Sequence, residues 1–248
     1  MSSTFGKNIH VSVAGESHGE ALGVIMDGFP AGFHVDMEAL SAFLARRAPG
    51  RNRFSTPRKE ADAPKFLSGL LHGVTTGAPI LAIIENTNTK SADYATILDV
   101  PRPGHADYTA HVKYGGFADM RGGGHFSGRL TAPLTVAGGI ARQMLSEKGI
   151  SVFAHIRAIH GVWGEAPAYC ESDIPALAAV AEKDFPAFDE AAAPRMETAI
   201  DAAREAGDSV GGIIEVSVLG LPAGLGSPMF DRVEGRISSA VWGVPAVR

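Results

Sequence analysis

The stretch Arg121-Gly122-Gly123-Gly124-His125-Phe126-Ser127-Gly128-Arg129-Leu130-Thr131 sets three consecutive glycines between two arginines, immediately ahead of a run with helical periodicity. Glycine allows the backbone positive φ and close approach without a Cβ. Successive amide groups in such a run can form an anion-binding concavity. Leu134 to Lys148 is expected to be a helix, so its first amides would face the same place. Ser127 and Thr131 add hydroxyls, and Arg121 and Arg129 add positive charge. The local expectation is a phosphate or carboxylate cradle. A surface loop capped by Ser127 is the plainer alternative.

Working outward, the chain of 248 residues suits one large domain or two small ones and is ample for a core. Apolar residues at 45% and charged residues at 20% match an ordinary globular protein, and thirty glycines imply many tight turns. A net charge of −5 gives no general attraction to nucleic acid or anionic membrane. The single Cys170 excludes an internal disulfide and a four-cysteine zinc site, and a reducing cytoplasm is the simplest home. No apolar run reaches the length of a membrane span, and no signal-peptide core is present at the N-terminus.

Ile9, Val11 and Val13 alternate as a strand, which runs through Gly15-Glu16-Ser17-His18-Gly19 into a second strand, Leu22 to Met26, stopped by Asp27-Gly28-Phe29-Pro30. Asp36 is placed to cap a helix with Met37, Leu40, Phe43 and Leu44 on its apolar face. Arg46, Arg47, Arg51, Arg53, Arg58 and Lys59 then form a basic segment, a local feature of an acidic chain suited to paired hydrogen bonds with an anion. A solvated basic loop is the bland alternative, and a nucleic-acid surface lacks the interleaved aromatics. Strands are expected at Lys65 to Leu71, Pro79 to Glu85, Ile150 to Ile159 and Gly211 to Leu219. Helices are expected at Asp173 to Lys183, Met196 to Ala206 and Arg232 to Trp242. In the helix after the loop, Gly138-Gly139 costs helix propensity, which implies close packing of another backbone. With no repeat and no clear linker, the reading is one α+β domain.

Three histidines stand beside glycines. His18 and His105, the latter in Arg102-Pro103-Gly104-His105-Ala106-Asp107, occupy turns that can aim a side chain into a cleft and act near neutral pH. His125 lies within the glycine loop. A lone turn histidine is more often structural, so neither turn decides the chemistry alone. No His-x-x-x-His or His-Glu-x-x-His pair occurs, so no metal is expected. Gly15-Glu16-Ser17-His18-Gly19 matches the nucleophile elbow of serine hydrolases. That motif should lead into a helix, whereas a strand is expected after it, which leaves Ser17 as a remote alternative nucleophile.

Taken together, these stretches resemble the chorismate synthase family. The resemblance rests on Gly15-Glu16-Ser17-His18-Gly19 with Asp27-Gly28-Phe29-Pro30-Ala31-Gly32, and on Arg46-Arg47, Pro49-Gly50 and Arg53. It continues through Ile84-Glu85-Asn86-Thr87, the His105 turn and the glycine loop to Gly207-Asp208-Ser209 and Pro222-Ala223-Gly224-Leu225-Gly226 with Phe230-Asp231. These segments lie in family order from residue 9 onward. The resemblance implies helices sandwiched between mostly antiparallel sheets, a β-α-β sandwich, assembled as a homotetramer. It implies the last step of the shikimate pathway in aromatic amino acid biosynthesis. There, 5-enolpyruvylshikimate 3-phosphate loses phosphate and a proton to give chorismate, with reduced FMN required although no net redox change occurs. NADPH or a separate flavin reductase would supply the reduction.

By the same resemblance, His18 and His105 are the proton-handling residues. Arg47 and Arg53 bind nucleotide or substrate anions, and Arg129 binds substrate. His125, Phe126, Ser127, Pro245 and Ala246 touch FMN. Other members carry Arg-Ser-Ser at 125–127, so an arginine contact to the cofactor is missing here, while Ser127 keeps its hydroxyl. Members also continue for roughly another third of their length beyond the end of this chain. Their Lys-Pro-Thr-Ser-Ser and Arg-His-Asp-Pro segments have no counterpart among residues 1–248. The expectation is therefore a family domain incomplete at its C-terminus, with poor FMN binding and weak or no turnover alone. A non-catalytic remnant that keeps an anion-binding half-site is the alternative.

Overall fold

The N-terminal strands follow from their alternation. β1 (Thr4–Gly6), which the sequence pattern did not reveal, pairs antiparallel with β2 (His10–Gly15), and β2 with β3 (Ala21–Asp27). In β3 every second side chain, Leu22, Val24 and Met26, turns inward. After helix α1 (Met37–Arg47) come β4 (Lys65–Ser68), the hairpin β5 (Leu70–Leu71) and β6 (Val74–Thr75), and β7 (Ile80–Glu85). Strand β7 lies against β3 so that Leu22 faces Ile84, Val24 faces Ala82 and Met26 faces Ile80. These six residues are at most 2% exposed, and each of them larger than Ala82 stabilises the fold by about 1.5–3 kcal/mol through its burial. The completed sheet is antiparallel throughout, in the order β1-β2-β3-β7-β4.

The computed structural model describes residues 3–50, 53–55, 62–87 and 100–247. Of the expected basic segment, Arg51, Arg58 and Lys59 lie outside the described residues.

Two helices cover one face of this sheet. Asp36 caps α1 as expected, its Oδ1 accepting from Ala39 N at 2.9 Å. Further along the chain, α2 (Asp107–Lys113) follows the His105 turn, where no helix was expected. The long helix α3 spans Thr131–Ser146, beginning three residues earlier than its periodicity implied, with Pro133 in its first turn. Asp36 exchanges two 2.9 Å bonds with the Gln143 amide, which ties the start of α1 to α3. Gly139 makes room for a neighbour, and that neighbour is a side chain rather than a backbone. A methyl there would lie 2.5 Å from Leu40 Cδ1 and 3.0 Å from Phe43 Cδ1, both on α1. Gly138 has nothing within 4 Å of that position, so the expected backbone contact is absent at both glycines.

The chain divides into two compact units. The first contains Met1–Gly50, Ser55–Met144 and Gly224–Arg248, the second Arg51–Phe54 and Leu145–Ala223. The second unit holds a three-stranded antiparallel sheet, with β8 (Ser151–Ile159) between β9 (Val162–Trp163) and β10 (Gly212–Leu219). Helices α4 (Ile174–Val180) and α5 (Ala193–Glu205) belong to it. Its small core gathers Ala187, Ala192 and Met196 against Ile156 and Phe185. The last helix of the first unit is α6 (Val233–Val241). The mixture of helices and antiparallel sheets is an α+β fold.

Candidate active site

The glycine loop is a tight double turn, with short 3-10 segments at Gly124–Phe126 and Gly128–Leu130. Gly123 and Gly124 N–H both donate to the Arg121 carbonyl, Phe126 N–H to Gly123, and Leu130 N–H to Ser127. Ser127 Oγ accepts from Arg129 N–H at 3.2 Å. These amides are used inside the loop, so the expected anion cradle does not form from them. The glycines serve a different purpose. At Gly122 (φ +69°), a methyl would fall 2.3 Å from His18 Nδ1 and 2.6 Å from Ser17 Oγ. At Gly124 (φ +53°), it would fall 2.1 Å from the Asp119 carbonyl oxygen. The loop therefore lies directly on the Gly15–Gly19 turn, a closeness that only glycine allows at positive φ.

Hydrogen bonds fasten the two segments. Ser17 N–H donates to the Gly124 carbonyl at 3.1 Å, and Ser17 Oγ donates to the Arg121 carbonyl at 3.2 Å. With that hydroxyl hydrogen committed, His18 Nδ1–H donates to Ser17 Oγ at 3.2 Å, and Nε2 is the basic nitrogen of the neutral ring. His18 and Ser17 are only 4% and 2% exposed. Ser17 is thus a buried linker followed by strand β3, not the exposed nucleophile of a hydrolase elbow. His125 Nδ1–H donates to the Gly15 carbonyl at 2.8 Å, so its Nε2 accepts from Ser3 Oγ at 2.7 Å. Beside this seam, the Arg121 guanidinium holds the Asp119 carboxyl below its usual range through a hydrogen-bonded pair. Burial, and then the hydrogen bond to Asp119, push the Glu16 carboxyl above its usual range.

His105 stands exposed on its turn, with Nδ1 3.4 Å from the Pro103 carbonyl. Asp107 fixes the turn. It accepts from Arg102 N–H at 3.0 Å, Nε at 2.8 Å and Nη2 at 3.0 Å. Hydrogen bonding from Arg102 lowers the Asp107 carboxyl from its ordinary value.

A cavity of about 800 Å³ opens between these elements. Its wall includes His105, His125, Phe126, Ser127, Pro245 and Ala246, all expected site residues, drawn from three separate stretches of the chain. Ser3, Thr4 and Phe5 of the N-terminal strand region and Trp242 beyond α6 also line it, and neither group was anticipated. The volume lies within the 300–1,000 Å³ range of cofactor and ligand sites. Apolar walls from Met120, Phe126, Leu134 and Trp242 suit a flat ring system, while Ser127 and His105 offer polar partners. The residues present fit a flavin. His18 does not line the cavity, but it packs under Gly122, which does.

The arginines take other positions. Arg47 Nη1 and Arg129 Nη1 both donate to Asp62, one to each carboxylate oxygen. Arg129 Nε also donates to Asn86 Oδ1 at 3.2 Å, and Arg47 Nε to Thr131 Oγ1 at 3.3 Å. The Asp62 side chain is 1% exposed and that of Arg129 6%. Arg53 belongs to the second unit, where it pairs with Glu197 at 3.1 Å and Asp201 at 2.9 Å and stacks over Phe54. Asp62 was missed because nothing local marks a carboxylate after a basic run as its partner. Asn86 was quoted only as part of a motif, although its position just past β7 was a usable signal. Among the described residues, no group of three or more His, Cys, Asp or Glu side chains is disposed to hold a metal ion. No helix among them is long and apolar enough to cross a membrane.

The family model described as chorismate synthase matches residues 9–248. The chain is 41% identical over 248 residues to the chorismate synthase of Dehalococcoides mccartyi, covering all of this chain and 67% of that protein. It is 44% identical over 243 residues to that of Thermococcus kodakarensis, covering 98% of this chain and 66% of the relative. A solved structure described as the crystal structure of chorismate synthase superposes with a TM-score of 0.73 at 27% identity, covering 98% of this chain and 68% of that one. The chain thus spans about two thirds of the length of the relatives it matches. It belongs to the chorismate synthase family, lyases that use reduced flavin to eliminate phosphate and a proton from 5-enolpyruvylshikimate 3-phosphate.

Proposed function

We propose that this chain carries out the family reaction with reduced FMN held in the 800 Å³ cavity, His18 and His105 handling protons, and Arg47 and Arg129 binding substrate anions. The observation that supports this reading is the convergence of His105, His125, Phe126, Ser127, Pro245 and Ala246 on one cavity wall. Phe126 and its apolar neighbours would bury the flavin ring, and the Ser127 hydroxyl would offer it a polar contact. The chemistry that a reduced flavin bound there would supply is a reversible loan of electron density to the substrate. His105, whose Nδ1–H is directed to the Pro103 carbonyl, keeps Nε2 as a lone-pair acceptor for a proton. His18, held by Ser17 in the matching tautomer, keeps its basic Nε2 in a dry setting beneath Gly122. Arginine is suited to a substrate with one phosphate and two carboxylates, because its planar fork pairs with either group.

In this reading NADPH is the source of reduction, directly or through a separate flavin reductase. The active assembly is a homotetramer, working in the cytoplasm. These three features rest on the family, and the last also on the lone cysteine. The experiment is an anaerobic titration of reduced FMN into the purified chain, with and without 5-enolpyruvylshikimate 3-phosphate, followed by an assay for chorismate release. FMN binding that tightens with substrate and falls on His125→Ala is the expected result. Absence of binding at high-micromolar flavin overturns the proposal and leaves a fold of the family without its activity.

A further inference from the structure

We propose that Asp62 is a positioning residue for the substrate's phosphate or carboxylate, holding Arg47 and Arg129 side by side as one two-pronged anion receptor. The inference rests on the reading of those two arginines as anion-binding residues.

The geometry carries it. One Asp62 oxygen accepts from Arg47 Nη1 and the other from Arg129 Nη1, so a single carboxylate bridges α1 and the turn that precedes α3. Each guanidinium is steadied again through its Nε, by Thr131 Oγ1 for Arg47 and by Asn86 Oδ1 for Arg129. Thr131 is itself fixed, its hydroxyl donating to the Gly128 carbonyl at 2.7 Å. Two like charges brought this close repel each other, and a carboxylate between them removes the repulsion. Two guanidinium charges less one carboxylate leave the trio at net +1, still complementary to an anion. The Arg47 side chain is 24% exposed against 6% for Arg129, so Arg47 is the member an incoming anion meets first. Asp62 holds this place with φ +47°, an unfavourable conformation for a residue with a side chain. A carboxylate in that position does not bind substrate. It sets the angle and spacing of the groups that do.

The test compares wild type, Asp62→Asn, Asp62→Glu and Arg129→Gln by calorimetric titration with 5-enolpyruvylshikimate 3-phosphate, and separately with FMN. Asp62→Asn keeps the shape but cannot neutralise two guanidinium groups. It is expected to weaken substrate binding at least about tenfold while FMN affinity changes less than about twofold. Asp62→Glu is expected to recover part of the loss, which a purely structural role would not predict. Unchanged substrate binding in Asp62→Asn overturns the proposal. Tighter binding also overturns it, because Asp62 would then be competing with the anion for the arginines. Arg129→Gln separates the two levels: if it leaves substrate binding intact, the assignment of the arginines fails and the role of Asp62 falls with it. Should Asp62→Asn fail to fold, the double variant Arg47→Gln/Asp62→Asn is compared with Arg47→Gln. Little further loss supports a role exerted through Arg47, and a full additive loss overturns it.

Discussion

Arg121 and Arg129 bracket the same glycine loop, and their surroundings could hardly differ more. Arg121 pairs with Asp119, two residues away, and keeps 42% of its side chain in solvent. Arg129 is 6% exposed and pairs with Asp62, sixty-seven residues away in the chain. The front of the loop is a local structure that needs little from the rest of the fold. The back is a junction where α1, the segment at Asp62, the end of β7 and the start of α3 meet on one guanidinium network. A charge near its own partner in sequence is screened and contributes modestly. A charge taken from water onto a distant carboxylate couples several elements, and removing one partner leaves the other buried and uncompensated. The difference predicts that the loop tolerates change in its charges at the front, but not in its packing over the histidine.

The sharpest way to break that distinction is Gly122→Ala. The added methyl would lie 2.3 Å from His18 Nδ1 and 2.4 Å from Cε1, at a φ of +69° that alanine resists. Either His18 moves or the loop lifts. The expected outcome is at least about a hundredfold loss of turnover, the scale of a displaced general acid or base. A stability loss of about 2–3 kcal/mol should accompany it. Chorismate formation and denaturant unfolding measure the two. Near-normal turnover would show that the loop is adaptable over His18 and that its glycines have another purpose.

Asp107→Asn probes an intermediate case, a pair close in sequence yet buried. Asp107 is 3% exposed and takes three hydrogen bonds from Arg102, two of them from the guanidinium. The expected loss at neutral pH is about 2 kcal/mol, the usual worth of a hydrogen-bonded charge in a partly buried site. The pH dependence has a definite sign. The folded Asp107 carboxyl titrates below its ordinary value, so its contribution is present above the ordinary aspartate range and is lost as the pH falls through the folded value. The stability gap between wild type and variant should therefore be flat above about pH 5 and close below about pH 3.9. A gap that persists in acid would assign the effect to packing of the turn instead.

The same contrast explains what was legible in the sequence. The sheet was readable because Leu22, Val24 and Met26 alternate with the period of a strand, and α1 because Asp36 announces its cap. Helix α2 escaped, since it is short and stands behind a Pro-Gly turn that drew attention to His105. Strand β1 has three exposed residues and no alternation to detect. In the candidate site, the residue types stood out in the sequence and their partners did not. Three glycines signal close approach, but not that the approaching group is the His18 ring. Two arginines signal an anion, but not that Asp62 already stands between them. Both partners lie far away in sequence, and only the packed fold brings them together.

Arg121→Gln carries the smallest expected effect and tests the other side of the comparison. The Asp119 carboxylate accepts from Arg121 Nε at 2.9 Å and Nη2 at 2.6 Å, good geometry at an open surface. Solvent screening should hold the stability loss below about 1 kcal/mol. The titration is the finer readout. Without the guanidinium that holds it down, the Asp119 carboxyl should move up towards the ordinary range, and Glu16, which shares a hydrogen bond with it, should respond. Because a lowered acid stabilises the fold above its ordinary range, the acid-side loss of stability expected of the wild type should shrink in the variant. Carboxyl NMR titration follows both residues directly. A loss above about 3 kcal/mol would mean that the front of the loop is as deeply coupled to the fold as the buried junction at Arg129, and that proximity in sequence says nothing about what a charge pair is worth here.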